Sequence, residues 1–210
     1  FYNGRFRATD TTGYAKGGYG LYLKNDAAMN SMYIATDNIS FHGWGSYGFH
    51  AYGDQSRVDN MVWEGNFHSD NPATIQGGMP VQGLSLRENV FYAPDQRRDR
   101  TVTQNTAHFG GGGGLNAPVF LNNYFLAGQL FFQGHLPSMV FTGNTVNGLA
   151  NWQEAWPAPG IAFPVASFPS NTYAIPPAPD VQLNRIIVRP NRYEPGRANV
   201  CVLNWLLAPM

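Results

Sequence analysis

The sequence is short of charge and has a single cysteine. Only 12% of its 210 residues are charged, about half the usual share, and thirteen basic side chains balance thirteen acidic ones. No basic run is long enough for the electrostatic footprint of nucleic-acid binding, so we expect no nucleic-acid partner. Because Cys201 is alone, no internal disulfide can form, and no cysteine or histidine cluster has the spacing of a zinc site.

Long apolar runs and helical periodicity are also missing. No window approaches the roughly 18 to 20 apolar residues of a membrane span, which predicts a chain without a transmembrane segment. Gly, Asn and Pro interrupt every stretch that could follow a period of 3.6 residues. The chain begins with Phe1 in strand-like sequence, so we expect a processed product or a fragment, and any export signal would lie upstream.

Glycine, proline and aromatic residues are abundant instead. The chain has 24 Gly and 15 Pro, and 14% of its residues are aromatic. Its hydrophobic fraction of 43% is enough to build the core of one substantial domain. Since few charges are present, amides, hydroxyls and aromatic rings must cover the surface, and such a surface suits sugars better than phosphates.

Five segments of the chain align on an asparagine. Apolar residues lie three and five positions before it, with mostly polar residues between them, which is the period-two pattern of a half-buried strand. A second short strand begins after each asparagine, and a third strand ends at glycine. The shared positions are Asn38, Asn66, Asn89, Asn123 and Asn144.

Three short strands per repeat, joined by bends that are not hairpins, predict an all-β fold in which the chain coils in one direction and parallel strands stack from coil to coil. Stacked asparagines at the recurring bend would form a hydrogen-bonded ladder. The asparagine column and the glycine-ended strands resemble right-handed parallel β-helix proteins of the pectate-lyase-like superfamily, over about residues 18–148. The resemblance implies a secreted bacterial protein of that architecture.

We predict that the chain forms a single domain in three parts. Residues 1–150 form the β-helix coils, and residues 181–210 resemble closing strands with Glu-Pro-Gly-Arg as a hairpin bend. Between them, residues 151–180 contain seven prolines and predict a belt along the outside, anchored by Trp152, Trp156 and Phe163. An open first coil would expose unpaired strand edges, so we expect another segment or a partner protein to cap it.

The resemblance also implies a binding groove along the outer face of the strand that ends each repeat. Alternation places two columns of side chains on that face: Tyr22, His50, Thr74, His108 and Phe131 in one, and Lys24, Tyr52, Gln76, Gly110 and Gln133 in the other. Rings stack on sugar faces and amides bond sugar hydroxyls, which predicts a polysaccharide partner. The predicted substrate-binding residues are Tyr22, Gln76, His108, Phe131 and Gln133.

Cleavage of an acidic polysaccharide by β-elimination is one chemistry that this face could support. Lys24, His50 and Tyr52 would supply base or acid groups, and Arg57 would pair with the uronate carboxylate. Hydrolysis would need two carboxylates, which the strands of this face lack. No acidic cluster supports calcium, so we expect no metal or cofactor. A noncatalytic structural or adhesive surface protein, or a subunit of a larger extracellular assembly, stays open as the alternative.

Two weaker motifs complete the sequence. Five consecutive glycines at 110–114 lack the Lys-Ser/Thr ending of a phosphate loop and predict a flexible loop after a strand. His42, His68 and His135 have no spaced partners, and we predict that they are surface or capping residues rather than metal ligands.

Overall fold

The fold was obtained as a computed structural model that describes residues 21–25, 32–41, 48–53, 58–69, 72–93, 105–134, 138–154, 160–174 and 184–207. Regular structure in these ranges is almost entirely β, and its helical part consists of short 3-10 turns such as Val165–Ser167. None of the described helices is long and apolar enough to cross a membrane.

Six successive coils can be traced through the described residues, and each contributes its strands in the same order. The first two coils contain β1 (Leu21–Asn25), β2 (Tyr33–Thr36), β3 (Ile39–Ser40), β4 (Phe49–Gly53), β5 (Met61–Glu64) and β6 (Phe67–Ser69). The third contains β7 (Ala73–Gly77), β8 (Val81–Gln82), β9 (Ser85–Arg87) and β10 (Val90–Tyr92). The later coils contain β11 (Asn105–Gly110), β12 (Leu115–Asn116), β13 (Val119–Leu121), β14 (Tyr124–Gln133), β15 (Val140–Thr142), β16 (Thr145–Gln153), β17 (Ile161–Ala162) and β18 (Thr172–Ala174).

Strands of successive coils pair in parallel and form three long stacks. The first stack runs β1-β4-β7-β11 and continues into the second halves of β14 and β16. The second runs β2-β5-β9-β13-β15, and the third runs β3-β6-β10 into the first halves of β14 and β16 and then β18. The predicted right-handed parallel β-helix is therefore confirmed.

The predicted asparagine ladder is also confirmed, and it is one rung longer than the sequence indicated. The backbone nitrogen and Nδ2 of Asn144 both donate to Oδ1 of Asn171, at 2.8 and 3.0 Å, as each earlier asparagine does to the next. Each Nδ2 from Asn66 onward also donates to a backbone carbonyl of the preceding coil, such as Ala35 O for Asn66. These buried amides are therefore fully used in hydrogen bonds between coils.

A left-handed backbone conformation precedes each of the five asparagines that the sequence aligned. The residues at this position have φ values between 54° and 68°, and they are Asp37, Gly65, Glu88, Asn122 and Gly143. Gly, Asn and Asp are the residues that adopt this conformation at the lowest cost. The recurrence of four such residues and one Glu before the aligned asparagines is a bend signal that the sequence contained.

Inward-facing side chains of the first stack form the core that alternation predicted. Phe49, Ala51, Ile75, Phe109 and Phe132 are all buried and in contact with the other buried strands. Aromatic rings continue through successive coils, and the stacked pair Phe91 and Phe125 lies 5.4 Å apart between centroids. Each fully buried Phe side chain contributes roughly 1.5 to 3 kcal/mol by leaving water.

The five glycines at 110–114 form a tight, packed bend, which differs from the flexible loop that the sequence predicted. The Gly113 nitrogen donates to Gly77 O at 3.0 Å, and the Val81 nitrogen donates to Gly114 O at 2.9 Å. A Cβ on Gly113 would lie 2.0 Å from the carbonyl carbon of Met79. Glycine is needed here because the backbones of two consecutive coils approach so closely.

Residues 160–174 complete the last of these coils, within the range predicted to be an outer belt. Phe163, expected to anchor that belt on the outside, is 4% exposed and packs in the core, with its ring 5.3 Å from that of Phe132. Trp152 aligns with Phe132 and faces the core as well. Asn171 then continues the ladder. Trp156 lies outside the described residues, and the division of the chain into three parts stays a prediction.

The C-terminal hairpin of β19 (Asn184–Pro190) and β20 (Ala198–Asn204) has the Glu-Pro-Gly-Arg bend that the sequence predicted. The Arg197 nitrogen donates to Glu194 O at 3.1 Å in that bend. The hairpin lies along the side of several coils, where Ile187 and Leu203 join an apolar cluster with Phe67 and Leu126. From the sequence we expected these strands to close the β-helix. In the structure the hairpin instead lies across the side of several coils.

Two arginines attach this hairpin to successive coils. Arg189 contacts Asp37 and Glu64 at 3.3 Å each and also pairs with Glu88. Arg192 contacts Asp37 at 2.8 Å and Glu64 at 3.1 Å. Burial raises the pKa of the Glu64 carboxyl, but its hydrogen bonds and charge interactions with both arginines outweigh burial, and the net pKa is lowered. We call these five residues the hairpin clamp.

Candidate functional site

The outward side of β1, β4, β7, β11 and the second halves of β14 and β16 is where the sequence analysis placed its two columns of residues. We call this surface the outer face. The strand register aligns Tyr22 with His50, His50 with Thr74, Thr74 with His108 and His108 with Phe131. It likewise aligns Lys24 with Tyr52 and Tyr52 with Gln76. The strand backbones thus align these members of the two predicted columns, and the roles of the residues stay predictions.

The outer face extends one coil further than the sequence analysis placed it. Asn151 aligns with Phe131, and Gln153 aligns with Gln133. These residues were missed because the proline-rich composition that follows them led to the belt assignment. The usable signal was the repeat itself, since Gln153 continues the column of Gln76 and Gln133 in the next coil.

A chain of hydrogen bonds connects four coils of the outer face. Gln76 Nε2 lies 2.6 Å from His108 Nδ1, and His108 Nε2 lies 2.9 Å from Gln133 Oε1. Gln133 Oε1 also accepts from the Gly111 nitrogen at 2.8 Å, and Gln133 Nε2 donates to Gln153 Oε1 at 2.5 Å. Because an amide nitrogen only donates, His108 must accept at Nδ1 and donate at Nε2, so the chain has one direction.

Much of this face is covered rather than open. His50 is 7% exposed, and Thr74 and Gln133 are also buried, whereas Tyr52, Gln76 and Phe131 are half-buried. Burial lowers the pKa of His50 to about 4. Burial also lowers the pKa of His108, and this outweighs the hydrogen bond with Gln133, which acts in the opposite direction. Both imidazoles are therefore neutral at pH 7.

Only part of the predicted catalytic group can be located. The rings of His50 and Tyr52 lie 5.6 Å apart between centroids. Lys24 is aligned with Tyr52 through the backbone, but its side chain, like that of Tyr22, lies outside the described part of the structure. Arg57 lies outside the described residues altogether. Convergence of the four residues stays a prediction.

Gly160 and β17 border the C-terminal end of the outer face. β17 pairs antiparallel with β16, so that Ala162 lies beside Asn151. A Cβ on Gly160 would lie 3.3 Å from Cε2 of Phe131, which places this backbone against the Phe131 ring. The Phe131 ring also contacts His108 edge-on, with 4.9 Å between centroids.

His68 lies inside the β-helix, so its prediction as a surface or capping residue is wrong. It is buried two residues after Asn66, in the inward position that Phe91 and Phe125 occupy in later coils. Its ring stacks on Phe49 at 5.0 Å. Alternation after the aligned asparagine would have shown this orientation. His42 and His135 lie outside the described residues.

Two clefts lie away from the outer face. One, of about 510 Å³, lies between the hairpin and β3, β6 and β10; its walls include Phe67, Val90 and the edge-on pair Tyr92 and Trp205. Cys201 also borders this cleft, and burial raises the pKa of its thiol. The other cleft, of about 690 Å³, lies at the last coil between β15 and residues 164–170. Neither cleft contains a predicted site residue.

Carboxylates and metal ligands do not gather on the described residues of the outer face. In the described ranges no group of three or more His, Cys, Asp or Glu side chains is placed to hold a metal ion. The described strands of the outer face also contain no Asp or Glu. The arrangement offers hydrogen-bonding and stacking groups to a ligand.

Comparisons of the chain with protein-family models, with curated proteins and with solved structures returned no match. The strand pairing described above is what identifies the fold as a parallel β-solenoid.

Proposed function

We propose that this protein binds a polysaccharide along the outer face, as a secreted, extracellular or periplasmic β-helix protein of the pectate-lyase-like type. The observation that carries the proposal is the register of the first stack, which aligns rings and amides in two columns across successive coils. Rungs of a parallel sheet repeat about every 4.8 Å, so an extended polymer crossing them meets similar groups at each coil. Polymeric sugars suit such a repeated, largely uncharged surface.

Binding is better supported than cleavage. Both ring nitrogens of His108 are occupied by Gln76 and Gln133, so His108 holds the amides in place. His50 is covered, and its pKa of about 4 makes it a weak base at neutral pH. Cleavage by β-elimination therefore depends on Lys24, Tyr52 and Arg57 converging on a uronate, as the sequence analysis predicted for an acidic polysaccharide.

Affinity electrophoresis in gels containing soluble polysaccharides tests the binding proposal. Replacing the half-buried Tyr52 or Gln76 by Ala should weaken retardation, because each change removes a ring or an amide from the outer face. Asn116→Ala is the matched control, since Asn116 is exposed on β12, outside the first stack. Equal retardation of all three variants and the unmodified protein would contradict the proposal.

A separate assay tests cleavage. Unsaturated products of β-elimination absorb ultraviolet light, and they should appear with a uronic-acid polymer if the reaction occurs. Lys24→Ala and Arg57→Ala should then abolish the signal. Full activity in both variants would exclude these residues from catalysis.

A noncatalytic role in a larger extracellular assembly is the second candidate, and a specific observation favours it. Apolar side chains of the first coil are uncovered, with Met32 64%, Ile34 62% and Phe41 55% exposed. Such side chains beside an end coil suit a covering partner protein or a further segment. A photo-crosslinking amino acid at position 34 should form an adduct with that cover, and its failure to do so in the native secreted material would contradict this role.

A further inference from the structure

We infer that the stretch of glycan lying across coils three to six of the outer face consists of uncharged sugar residues. This inference rests on the proposed function and narrows its substrate class. It departs from the acidic polymer that Lys24 and Arg57 led us to expect, because both residues precede the third coil in the sequence.

The first support is the set of side chains that the register places there. Among the described side chains that the outer face presents in these coils, none is Lys, Arg, Asp or Glu. They are Thr74, Gln76, His108, Phe131, Gln133, Asn151 and Gln153. Binding of a carboxylate favours a cation, and above all the bidentate guanidinium of Arg. Hydroxyl groups need only the amides and rings that are present.

The second support is that His108 is held as a neutral ring by its neighbours. Its Nδ1 accepts from the Gln76 amide nitrogen, and its Nε2 donates to Gln133 Oε1. A proton on Nδ1 would face the N–H groups of Gln76, so the hydrogen-bond chain disfavours the imidazolium. His108 therefore supplies no positive charge to an anionic ligand at neutral pH.

The third support is the cost of covering an unpaired charge. A carboxylate that loses water against this face without a cation would lose several kcal/mol of hydration. A sugar hydroxyl avoids that cost because it can donate to an amide oxygen. Gln76 uses its nitrogen for His108, and its Oε1 makes no hydrogen bond to the other described residues. We assign Gln76 Oε1 as the acceptor for a ligand hydroxyl.

The experiment compares neutral polysaccharides (xylan, glucan, mannan and galactan) with polyuronates (polygalacturonate and alginate) in the same affinity assay at low and high salt. We expect retention by at least one neutral polymer, about tenfold or more tighter than by either polyuronate. That retention should change little with salt, because it involves no ion pair. Tighter, salt-sensitive binding of a polyuronate would overturn the inference while leaving polysaccharide binding intact. Retention by none of these polymers would overturn the proposed function and the inference together.

Gln76→Lys is the decisive variant, and Gln76→Glu is its matched control. An ammonium at position 76 of the outer face should raise the affinity for polyuronates and make it salt-sensitive. A carboxylate at the same position should not. Both changes alter only a half-buried side chain, and their thermal unfolding checks that the coils stay intact. If the unmodified protein already binds polyuronates as tightly as Gln76→Lys does, the face supplies its own cation and the inference is wrong.

Discussion

The backbone nitrogen and the Nδ2 of Asn66 donate to a single atom, Oδ1 of Asn89, at 3.0 and 2.9 Å. Asn89 in turn makes the same two bonds to Asn123. Each rung therefore satisfies polar groups of the coil before it and the coil after it. Damage to one rung should spread to both neighbours, since these groups are buried and have no access to water.

Asn89→Ala should destabilise the protein by roughly 3 kcal/mol or more, because it removes the acceptor of the Asn66 donors and the donor to Trp63 O in a buried site. Urea unfolding followed by circular dichroism measures the change. Asn116→Ala, on an exposed strand position, should stay within about 0.5 kcal/mol. Similar losses in the two variants would show that the ladder contributes nothing specific.

Gly113→Ala should destabilise the protein by about 1 to 3 kcal/mol, because a Cβ there meets the Met79 backbone and must force the two coils apart. Gly112→Ala is the adjacent control, since a Cβ on Gly112 has no atom within 4 Å. Thermal unfolding of both variants separates a packed bend from a flexible loop. If Gly113→Ala were as stable as Gly112→Ala, the segment would be the loose loop that its composition first indicated.

Arg189→Ala should weaken the attachment of the hairpin by roughly 2 kcal/mol, since its side chain is only 14% exposed and pairs with carboxylates of three coils. Arg197→Ala removes an arginine that is 74% exposed and pairs only with Glu194 among the described residues, so it should cost less than about 0.5 kcal/mol. Limited proteolysis between residues 184 and 204 and urea unfolding measure both effects. Equal protease sensitivity of the two variants would count against the hairpin clamp.

The protein should lose stability as the pH falls below about 6.5. His50 and His108 have lowered pKa values in the folded state, so the unfolded chain takes up protons first. Their full contribution to the free energy of unfolding is present above pH 6.5, and for His50 it is lost towards pH 4. The slope is at most about 1.4 kcal/mol per pH unit for each histidine. Imidazole NMR titration measures this directly. A His50 midpoint near 6.5 would mean that its covering is absent in solution.

Much of the fold could be predicted from the sequence because a β-helix is built from local, repeated patterns. The alternation before Asn66, Asn89 and Asn123 determines which side chains enter the core, and parallel stacking then aligns equivalent residues. The rung at Asn171 was missed because prolines dominate the surrounding sequence, although Phe168 precedes Asn171 by three positions as Phe120 and Phe141 precede their asparagines. The hairpin clamp could not be predicted, since its partners lie more than a hundred residues apart and share no local pattern.

The sequence predicted which residues of the candidate site align between coils, but it did not predict how deeply they are buried. Period-two alternation was enough to place His50 beside Thr74 and Tyr52 beside Gln76. The burial of His50 and Gln133 depends on what packs over the strands, which alternation does not encode. The directed chain from Gln76 to Gln153 also required the register of four coils and side-chain distances. Sequence spacing alone provides neither.

The hairpin clamp has a consequence for how this β-helix can change in length. Solenoids commonly gain or lose whole repeats, because each repeat contacts only its neighbours. Here one guanidinium, that of Arg189, holds Asp37, Glu64 and Glu88, which belong to consecutive coils. An extra coil inserted between the second and third would move Glu88 about 4.8 Å further away and break that contact. The clamp thus fixes the spacing of the three coils that it joins, whereas insertion beyond Asn123 would leave it intact.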